Sequence, residues 1–303
     1  MNPDYFPAVI DASMIATWKS CPELFNLIYL DDYKAKEENI HRHAGKAFAK
    51  GIEVAREEFF AKGTESDLAM ARGLEALIQA YGDFECPPDS AKSLERMAGA
   101  FEFYFDNYPL VTGENAPIQF PSGKLGIEFS FAEPLPVSNP LTGDPLIYCG
   151  RMDAILEYAG QPFVVDEKTT SSLGPTWSRQ WDLRAQFTGY AWGCRQNGIS
   201  TAGTIVRGVS ILKTKYDTQQ AIIYHPDWQI DRWLDETCSH AEAIVAAWKN
   251  QRFLHNLGDA CASFGGCAFR QYCSTKPSDA GSWLETYFTR RRWNPLVREE
   301  ATL

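Results

Sequence analysis

Features that would place the protein in a membrane or outside the cell are missing from the sequence. No apolar run approaches the ~20 residues that a membrane helix needs. The first residues, MNPDYFPAVI, do not combine a basic region with an apolar core. The G-x-x-x-x-G-K-[ST] loop of nucleotide-binding motors is missing too. We therefore expect a soluble, cytoplasmic protein with no membrane partner and no motor activity of its own.

The sequence also lacks an excess of positive charge. Its 29 Lys and Arg residues are outnumbered by 39 Asp and Glu residues, giving a formal net charge of -10. This balance argues against coating nucleic acid through bulk electrostatics, so any such contact must use local basic patches. The clearest patch is the run Arg290-Arg291-Arg292, between Phe288 and Trp293. A solvated tail explains that run at least as well.

With 303 residues, of which 45% are hydrophobic, the chain can bury a sizeable core as one large domain or two. Apolar spacing of three and four predicts helices over 13–30, 42–61, 66–81, 91–108, 179–196 and 228–252, with Leu183, Phe187 and Cys194 on the buried stripe of the fifth. Pro22 predicts a break in the first helix near Cys21. Alternation predicts strands at 125–131, on both sides of a turn at 157–161, and at 203–213 and 219–225, and a loop rich in proline, asparagine and glycine is expected at Pro134–Pro145. We expect an α/β fold with a mixed central sheet from residues 125–225 flanked by helices. The expected parts are an N-terminal helical region (1–120), a sheet-bearing core (121–226) and a C-terminal helix with a cysteine array and tail (227–303), forming one compact unit.

Residues 150–170, GRMDAILEYAGQPFVVDEKTT, form the charged part of this predicted sheet. Because successive strand side chains alternate between faces, Asp166 and Lys168 share a face, and Asp153 of the preceding strand can converge on them. Taken alone, the D...DxK spacing of these three residues is best explained as a charged hairpin end on a solvated face. The apolar run Phe163–Val165 favours convergence instead, because it places the charges at the end of a buried strand.

These residue types suit a hard divalent cation. Mg²⁺ binds carboxylate and carbonyl oxygens, and the backbone carbonyl of Glu167 could add a ligand while its side chain points to the other face. A lysine beside the ion could orient a water molecule and stabilise charge on a phosphoryl oxygen.

Three motifs in order resemble the RecB-like branch of the PD-(D/E)XK nuclease superfamily. They are G-x-x-D ending at Asp153, (D/E)-x-K at Asp166-Glu-Lys168, and Q-x-x-x-Y at Gln186-Phe-Thr-Gly-Tyr190. The resemblance implies a PD-(D/E)XK nuclease core over 121–226 and a Mg²⁺- or Mn²⁺-dependent DNA nuclease with these five residues in catalytic roles. Without the other motifs, Gln186 and Tyr190 would be two ordinary polar groups on one helix face.

The resemblance also implies a set of metal ligands. Glu128 matches an acidic ligand that the family carries just before the G-x-x-D strand, whereas a lone glutamate on a short strand usually faces solvent. The implied ligands of Mg²⁺ or Mn²⁺ are Glu128, Asp153, Asp166 and the carbonyl of Glu167.

One position departs from the family. The G-x-x-x-H histidine, a nitrogen ligand, corresponds to Ala49 in the segment Gly45-Lys-Ala-Phe-Ala49. His41 and His43 lie just upstream, but they match no motif and are better explained as surface histidines. The loss of this ligand would weaken metal binding, favour a one-metal mechanism, or mark a protein that has lost activity.

The eight cysteines are better explained as reduced thiols or metal ligands than as disulfides, because no secretion signal is present. Cys261, Cys267 and Cys273 form a C-x5-C-x5-C array, which predicts a soft metal site lacking one ligand. Cys21 is the best candidate for that ligand. Zinc is the runner-up, since many zinc sites have a tighter C-x2-C spacing. Unpaired thiols by chance are a weaker third interpretation.

The cysteines extend the resemblance to the CRISPR-associated iron-sulfur exonucleases and the AddB nuclease domain. In that branch, one early cysteine in a C-P context, like Cys21-Pro22, joins three late ones around a [4Fe-4S] cluster. The resemblance implies a structural cluster held by Cys21, Cys261, Cys267 and Cys273. Because such a cluster would tie the two chain ends together, its binding would be coupled to folding.

The first functional hypothesis is therefore a metal-dependent exonuclease acting on single-stranded DNA or free ends. Its expected setting is the cytoplasm of a bacterium or a phage-infected host, with a helicase, recombination or CRISPR adaptation partner. The second hypothesis is a DNA-end-binding or partner-docking module that keeps the scaffold and cluster but cuts poorly, and Ala49 motivates it. A zinc-stabilised structural protein is a weaker third.

Overall fold

The computed structural model describes residues 3–36, 39–262 and 266–297. Its strands are β1 (Val9–Asp11), β2 (Tyr33–Ala35), β3 (Ile127–Ser138), β4 (Pro145–Tyr158), β5 (Gln161–Thr170), β6 (Gly203–Ile211), β7 (Tyr216–Tyr224) and β8 (Phe288–Arg290). Its α-helices are α1 (Ala12–Ser20), α2 (Pro22–Phe25), α3 (Ile40–Arg56), α4 (Ser66–Tyr81), α5 (Leu94–Asn107), α6 (Pro175–Arg179), α7 (Ala185–Gln196), α8 (Asp227–Lys249), α9 (Arg270–Ser274) and α10 (Pro277–Tyr287). Single π-helical turns follow α2 and α3, at Asn26–Leu30 and Glu57–Ala61.

A mixed sheet joins most of the strands. Its order is β1-β4-β5-β6-β7, and β3 pairs with β4. Strands β4 and β5 form an antiparallel hairpin, whereas β5 and β6 run parallel and are connected through α6 and α7. Parallel neighbours require such a crossover. The predicted α/β fold with a mixed central sheet flanked by helices is confirmed. Strand β1 and a separate β2–β8 pair add to it outside residues 125–225.

The chain divides into two compact units that interleave along the sequence. One, called here the cysteine unit, takes its described residues from Met1–Glu37, Ala132–Gly150 and Asp231–Glu300. The other, called the carboxylate unit, takes them from Glu38–Phe131 and Arg151–Ile230. The three-part division at residues 120 and 226 stays a prediction.

In the carboxylate unit, helices α3, α4 and α5 pack together and against β6. The side chains at every fourth position of α3 are buried because they form one apolar stripe. Facing residues of α5 and β6 complete the same core, which includes Phe48, Ile52, Leu77, Met97, Phe101, Tyr104, Val209 and Ile211. This core supports β5 and β6 from the side of the three helices.

In the cysteine unit, α1, α2 and α8 share a core with the strand segments of that unit. It includes Ile10, Met14, Phe25, Leu146, Ile244 and Trp248. The predicted helix over 13–30 is interrupted at Cys21, where the backbone is extended and α2 restarts at Pro22. The predicted break at Cys21-Pro22 is therefore confirmed.

Two local predictions are wrong. The helix predicted over 179–196 is two helices separated by a turn, and Leu183, predicted to be buried, is 79% exposed in that turn. The loop predicted at Pro134–Pro145 is shorter, since β3 continues to Ser138 and β4 begins at Pro145.

Arg290 and Arg292 are exposed, as a solvated segment would be, but both pack on aromatic rings. The guanidinium of Arg290 stacks on Tyr33 and that of Arg292 on Tyr5, at 4.1 and 3.8 Å from the ring centroids.

Within the described residues, no helix combines the length and apolar composition that crossing a bilayer demands.

Candidate active site

Two carboxylates meet where β4 and β5 run side by side. The antiparallel register of the hairpin places Asp153 beside Asp166. Asp153 Oδ2 accepts a hydrogen bond of 2.9 Å from the backbone N–H of Glu167. Lys168 Nζ lies 2.5 Å from Asp166 Oδ2 and forms an ion pair with it. The structure therefore brings together both aspartates and the lysine of the predicted site.

Glu167 points to the opposite face of β5, as the alternation of strand side chains predicts. Its Oε1 accepts hydrogen bonds from Arg56 Nη2 at 2.5 Å and from the Tyr104 hydroxyl at 2.9 Å. Arg207 of β6 donates to the same hydroxyl at 3.3 Å. Although burial raises the pKa of Glu167, the neighbouring guanidinium of Arg56 and then that of Arg207 lower it below its usual value. The side chain is thus a buried anion that anchors β5 to α3 and α5.

This supporting group was not predicted, although two of its members carry a signal in the sequence. Arg56 occupies the next position of the buried stripe of α3, after Ala44, Phe48 and Ile52. Arg207 interrupts the apolar run of β6, a strand in which every residue is buried. A charge inside an apolar pattern needs a buried partner, but the pattern alone does not name that partner.

The surroundings of the two aspartates disfavour their charged forms. Burial, followed by the charges of Asp166 and Glu167, raises the pKa of Asp153 well above its ordinary value. Burial also raises the pKa of Asp166, although Lys168 opposes that change. Burial lowers the pKa of Lys168, but the two aspartates outweigh it and raise that pKa overall, so the lysine stays protonated.

Glu128 reaches this site through an unusual backbone conformation. Its φ is +48°, in the left-handed region, although it lies in strand β3. A non-glycine residue in that region costs on the order of 1–3 kcal/mol and is found mostly at functional sites. Its charge adds to those that raise the pKa of Asp153, and its Oε2 lies 4.0 Å from Arg151 Nη1.

Helix α7 contributes a second polar pair. Gln186 Nε2 donates a hydrogen bond of 2.8 Å to the hydroxyl of Tyr190, one turn later. Arg184, just before the helix, has a guanidinium charge that lowers the pKa of Asp166 against the larger effect of burial. The start of α7 therefore supplies positive charge to the carboxylates.

The histidines near Ala49 are engaged elsewhere or exposed. His43 stacks on Phe84 with ring centroids 4.1 Å apart, and its Nε2 lies 2.8 Å from the backbone oxygen of Tyr81. His41 is exposed. Neither observation places an imidazole at the carboxylates.

The carboxylate site fits a hard divalent cation chemically. Asp166 Oδ2 is buried and receives no well-directed hydrogen bond, despite its ion pair with Lys168. An oxygen in this state, beside a second carboxylate with a raised pKa, is one that a cation would stabilise. Within the described residues, no group of three or more His, Cys, Asp or Glu side chains is already arranged to hold a metal ion.

The four predicted cluster cysteines line one small cavity of the cysteine unit. The cavity is bounded by Cys21, Cys261, Cys267 and Cys273, together with His255, Asn256 and Phe269. The backbone N–H of Asn256 lies 3.5 Å from Cys21 Sγ, and His255 Nδ1 lies 3.6 Å from Cys273 Sγ. All four thiols are free.

The four thiols also influence one another electrostatically. Burial raises the pKa of Cys273 to about 11, and the charges of Cys267, Cys21 and Cys261 add to that change. Burial also raises the pKa of Cys267, with smaller contributions from Cys261 and Cys21. A thiolate-binding metal group would reverse this preference, because the ligating form of cysteine is the thiolate.

The described structure is therefore an α/β protein with a mixed sheet, in which two adjacent carboxylates and a lysine form an acidic site on one hairpin. The chain belongs to the PD-(D/E)XK nuclease superfamily, whose family model matches residues 11–274.

Two solved structures are similar to this chain. A protein from Eubacterium rectale, described provisionally as an exonuclease, shares 15% identity with a TM-score of 0.50, covering 86% of this chain and 91% of its own. SSO0001 shares 16% identity with a TM-score of 0.29, covering 75% of this chain and 84% of its own. At this identity, the first similarity supports the fold. No curated protein matches the chain significantly.

Proposed function

We propose that the protein is a Mg²⁺- or Mn²⁺-dependent deoxyribonuclease of the RecB-like branch that hydrolyses phosphodiester bonds at single-stranded DNA ends. The observation that carries this proposal is the constellation of Asp153, the buried Asp166 and Lys168 on one hairpin. Membership of the nuclease superfamily supports the reaction class. The order of the three sequence motifs supports the branch.

In this proposal Asp153, Asp166 and the carbonyl of Glu167 hold the divalent ion, with Glu128 as a further ligand. When bound, the ion supplies Lewis acidity toward the scissile phosphate. Lys168 positions the attacking water molecule and stabilises the negative charge that develops on the phosphoryl oxygen.

The remaining residues position the reacting groups. Gln186 and Tyr190, joined by their hydrogen bond of 2.8 Å, order the scissile strand. The buried ion pair of Arg56 and Glu167 fixes the backbone between Asp166 and Lys168, because Glu167 is the residue between them. A fixed backbone there keeps both functional side chains in register.

We further propose a structural [4Fe-4S] cluster on Cys21, Cys261, Cys267 and Cys273. Four thiols around one cavity supply the ligand number that such a cluster needs. The C-x5-C-x5-C spacing is looser than the C-x2-C spacing of many zinc sites, which favours a cluster over a single zinc ion. Metal analysis of purified protein distinguishes iron from zinc.

The test is the cleavage of end-labelled single-stranded DNA by anaerobically purified protein with Mg²⁺ or Mn²⁺. We expect metal-dependent cleavage that is lost in Lys168→Ala and in Asp166→Ala, because both side chains act on the reacting phosphate. Lys124→Ala is the matched control, since Lys124 is an exposed lysine of the same unit and its loss should leave the rate unchanged. Full cleavage by Asp166→Ala would contradict the assigned site.

A second candidate function is a DNA-end-binding or partner-docking module. The observation that favours it is Ala49 at the family's histidine position, together with the engagement of His43 by Tyr81 and Phe84. DNA binding by folded protein without metal-dependent products would support this candidate over the nuclease.

For either candidate we place the protein in the cytoplasm of a bacterium or phage-infected host. We also propose a separate helicase, recombination or CRISPR adaptation partner that supplies DNA ends, because the sequence carries no nucleotide-binding loop.

A further inference from the structure

Lys92 is a buried cation in the loop before α5. The residue is 5% exposed. Its Nζ donates hydrogen bonds to Thr169 Oγ1 at 2.7 Å and to the Thr169 carbonyl oxygen at 3.4 Å. Both acceptors are neutral, and within the described residues no carboxylate forms an ion pair with this ammonium group. Burial alone lowers the pKa of Lys92 to about 8.

Other cations of the carboxylate unit have an anion close by. Lys168 is paired with Asp166, and the buried Arg56 is paired with Glu167. The buried Arg207 has neutral hydrogen-bond acceptors, but its charge acts on Glu167. Removing an ammonium group from water without a counter-charge is costly. Lys92 therefore occupies a position that an anion would stabilise.

The ammonium group lies at the end of the strand that carries the candidate catalytic residues. Thr169 directly follows Lys168 and, by alternation, points to the opposite face of β5. Gly45 of α3 lies near that face, since a Cβ there would meet only Thr169 Oγ1, at 3.9 Å. The residues that follow, Ser171 and Ser172, are exposed.

We infer that Lys92 and Thr169 form a subsite for a phosphate group of the nucleic-acid substrate, separate from the Asp153–Asp166 pair. The inference rests on the proposed nuclease function. A lysine ammonium group has three donors, and Thr169 receives two of them in the described structure, so one is left for a phosphate oxygen. The phosphate is either the terminal phosphate of the strand or an internal phosphodiester, because both present the same anionic oxygens.

The test measures binding by the full-length protein without added divalent ion, by fluorescence anisotropy at several salt concentrations. Three single-stranded oligonucleotides of one sequence are compared: unphosphorylated, 5′-phosphorylated and 3′-phosphorylated. Lys92→Met should weaken binding about tenfold. It should also reduce the salt slope, which is the slope of the logarithm of the binding constant against the logarithm of the salt concentration, by about 0.7, the value for one phosphate contact on a single strand. A loss confined to one phosphorylated end identifies the terminal phosphate, and an equal loss on all three identifies an internal phosphodiester.

Lys213→Met is the matched control, because it removes the same charge from an exposed loop residue of the same unit. A purely structural role for Lys92 would lower thermal stability and leave the salt slope unchanged. An unchanged slope in folded Lys92→Met overturns the subsite, and so does the absence of wild-type binding. The proposed nuclease function is tested separately, by the metal-dependent cleavage of end-labelled DNA.

Thr169→Val provides a second variant if Lys92→Met does not fold. It keeps the side-chain volume and removes the hydroxyl that orients the ammonium group. The subsite predicts weaker binding and a smaller salt slope for this variant also, and wild-type values would overturn it.

Discussion

The carboxylate charges of Asp153 and Asp166 make folding less favourable, because the folded protein disfavours both charged forms. Both pKa values are raised, chiefly by burial, so the folded protein binds more protons than the unfolded chain between the unfolded and folded pKa values. The stability that this pair contributes is present below the unfolded pKa and is lost as the pH rises through the folded pKa. A bound cation would restore this stability at neutral pH, because the cation favours the charged carboxylates.

We therefore expect Asp153→Asn to stabilise the metal-free protein while abolishing metal-dependent cleavage. The asparagine oxygen can still accept the hydrogen bond from Glu167, but the buried charge is gone. The free energy of unfolding at neutral pH should rise by about 1 kcal/mol, and its fall with increasing pH should be shallower. Urea unfolding at several pH values measures both effects.

The control for this prediction is Asp89→Asn, which removes a charge from an exposed loop residue of the same unit. Its stability should change little with pH relative to the wild type. If Asp153→Asn instead lowered the free energy of unfolding, the carboxylate would be a stabilising group and the argument from burial would fail.

At the scale of elements, the contact between α3 and α4 is set by two glycines. A Cβ on Gly73 would lie 2.7 Å from the backbone oxygen of Gly51 and 2.8 Å from Ala55 Cβ. A Cβ on Gly51 would in turn lie 3.0 Å from the oxygen of Gly73. The two helices therefore approach each other too closely for any side chain at these positions.

Gly73→Ala should destabilise the protein by about 1–3 kcal/mol, although alanine is the better helix former. The contact with backbone oxygen cannot relax unless the helices move apart. Gly281→Ala in α10 is the matched control, since nothing lies within 4 Å of its added Cβ. At that position only helix propensity changes, so Gly281→Ala should raise the free energy of unfolding by about 0.5–1 kcal/mol. Chemical denaturation of both variants measures the difference, and equal changes would contradict the steric argument.

At the scale of the whole molecule, the cysteine unit brings together distant parts of the chain. Cys21 lies in its first segment, whereas Cys261, Cys267 and Cys273 lie in its last. The backbone N–H of Glu23 also donates to the carbonyl of Leu254 at 3.1 Å. A cluster on the four thiols would act as a cross-link between these segments.

Cys267→Ala should lose iron, lose the brown colour of the cluster and lower the free energy of unfolding by about 2–5 kcal/mol, the range for losing a cross-link. Cys86→Ala should keep all three properties, because Cys86 belongs to the carboxylate unit and lies outside the cavity. Iron analysis and thermal unfolding make the comparison. Full iron content in purified Cys267→Ala would show that the ligand assignment is wrong.

The sequence by itself determined the local structure of the candidate site. Alternation in the hairpin placed Asp166 and Lys168 on one face and Glu167 on the other, and the structure has the same arrangement. The spacing of apolar residues likewise predicted α4 and α5, and the proline at position 22 predicted the break at Cys21-Pro22. These features depend on neighbouring residues in the chain, which is why periodicity predicts them.

Only the tertiary structure decided which distant residues support the site. Arg56 and Glu167 are separated by 111 positions, and packing of α3 against β5 makes them partners. Periodicity also could not predict the left-handed backbone at Glu128 or the exposed position of Leu183. The physical reason is that a repeating pattern specifies which face of an element is apolar, whereas the partner of a buried charge depends on which faces meet.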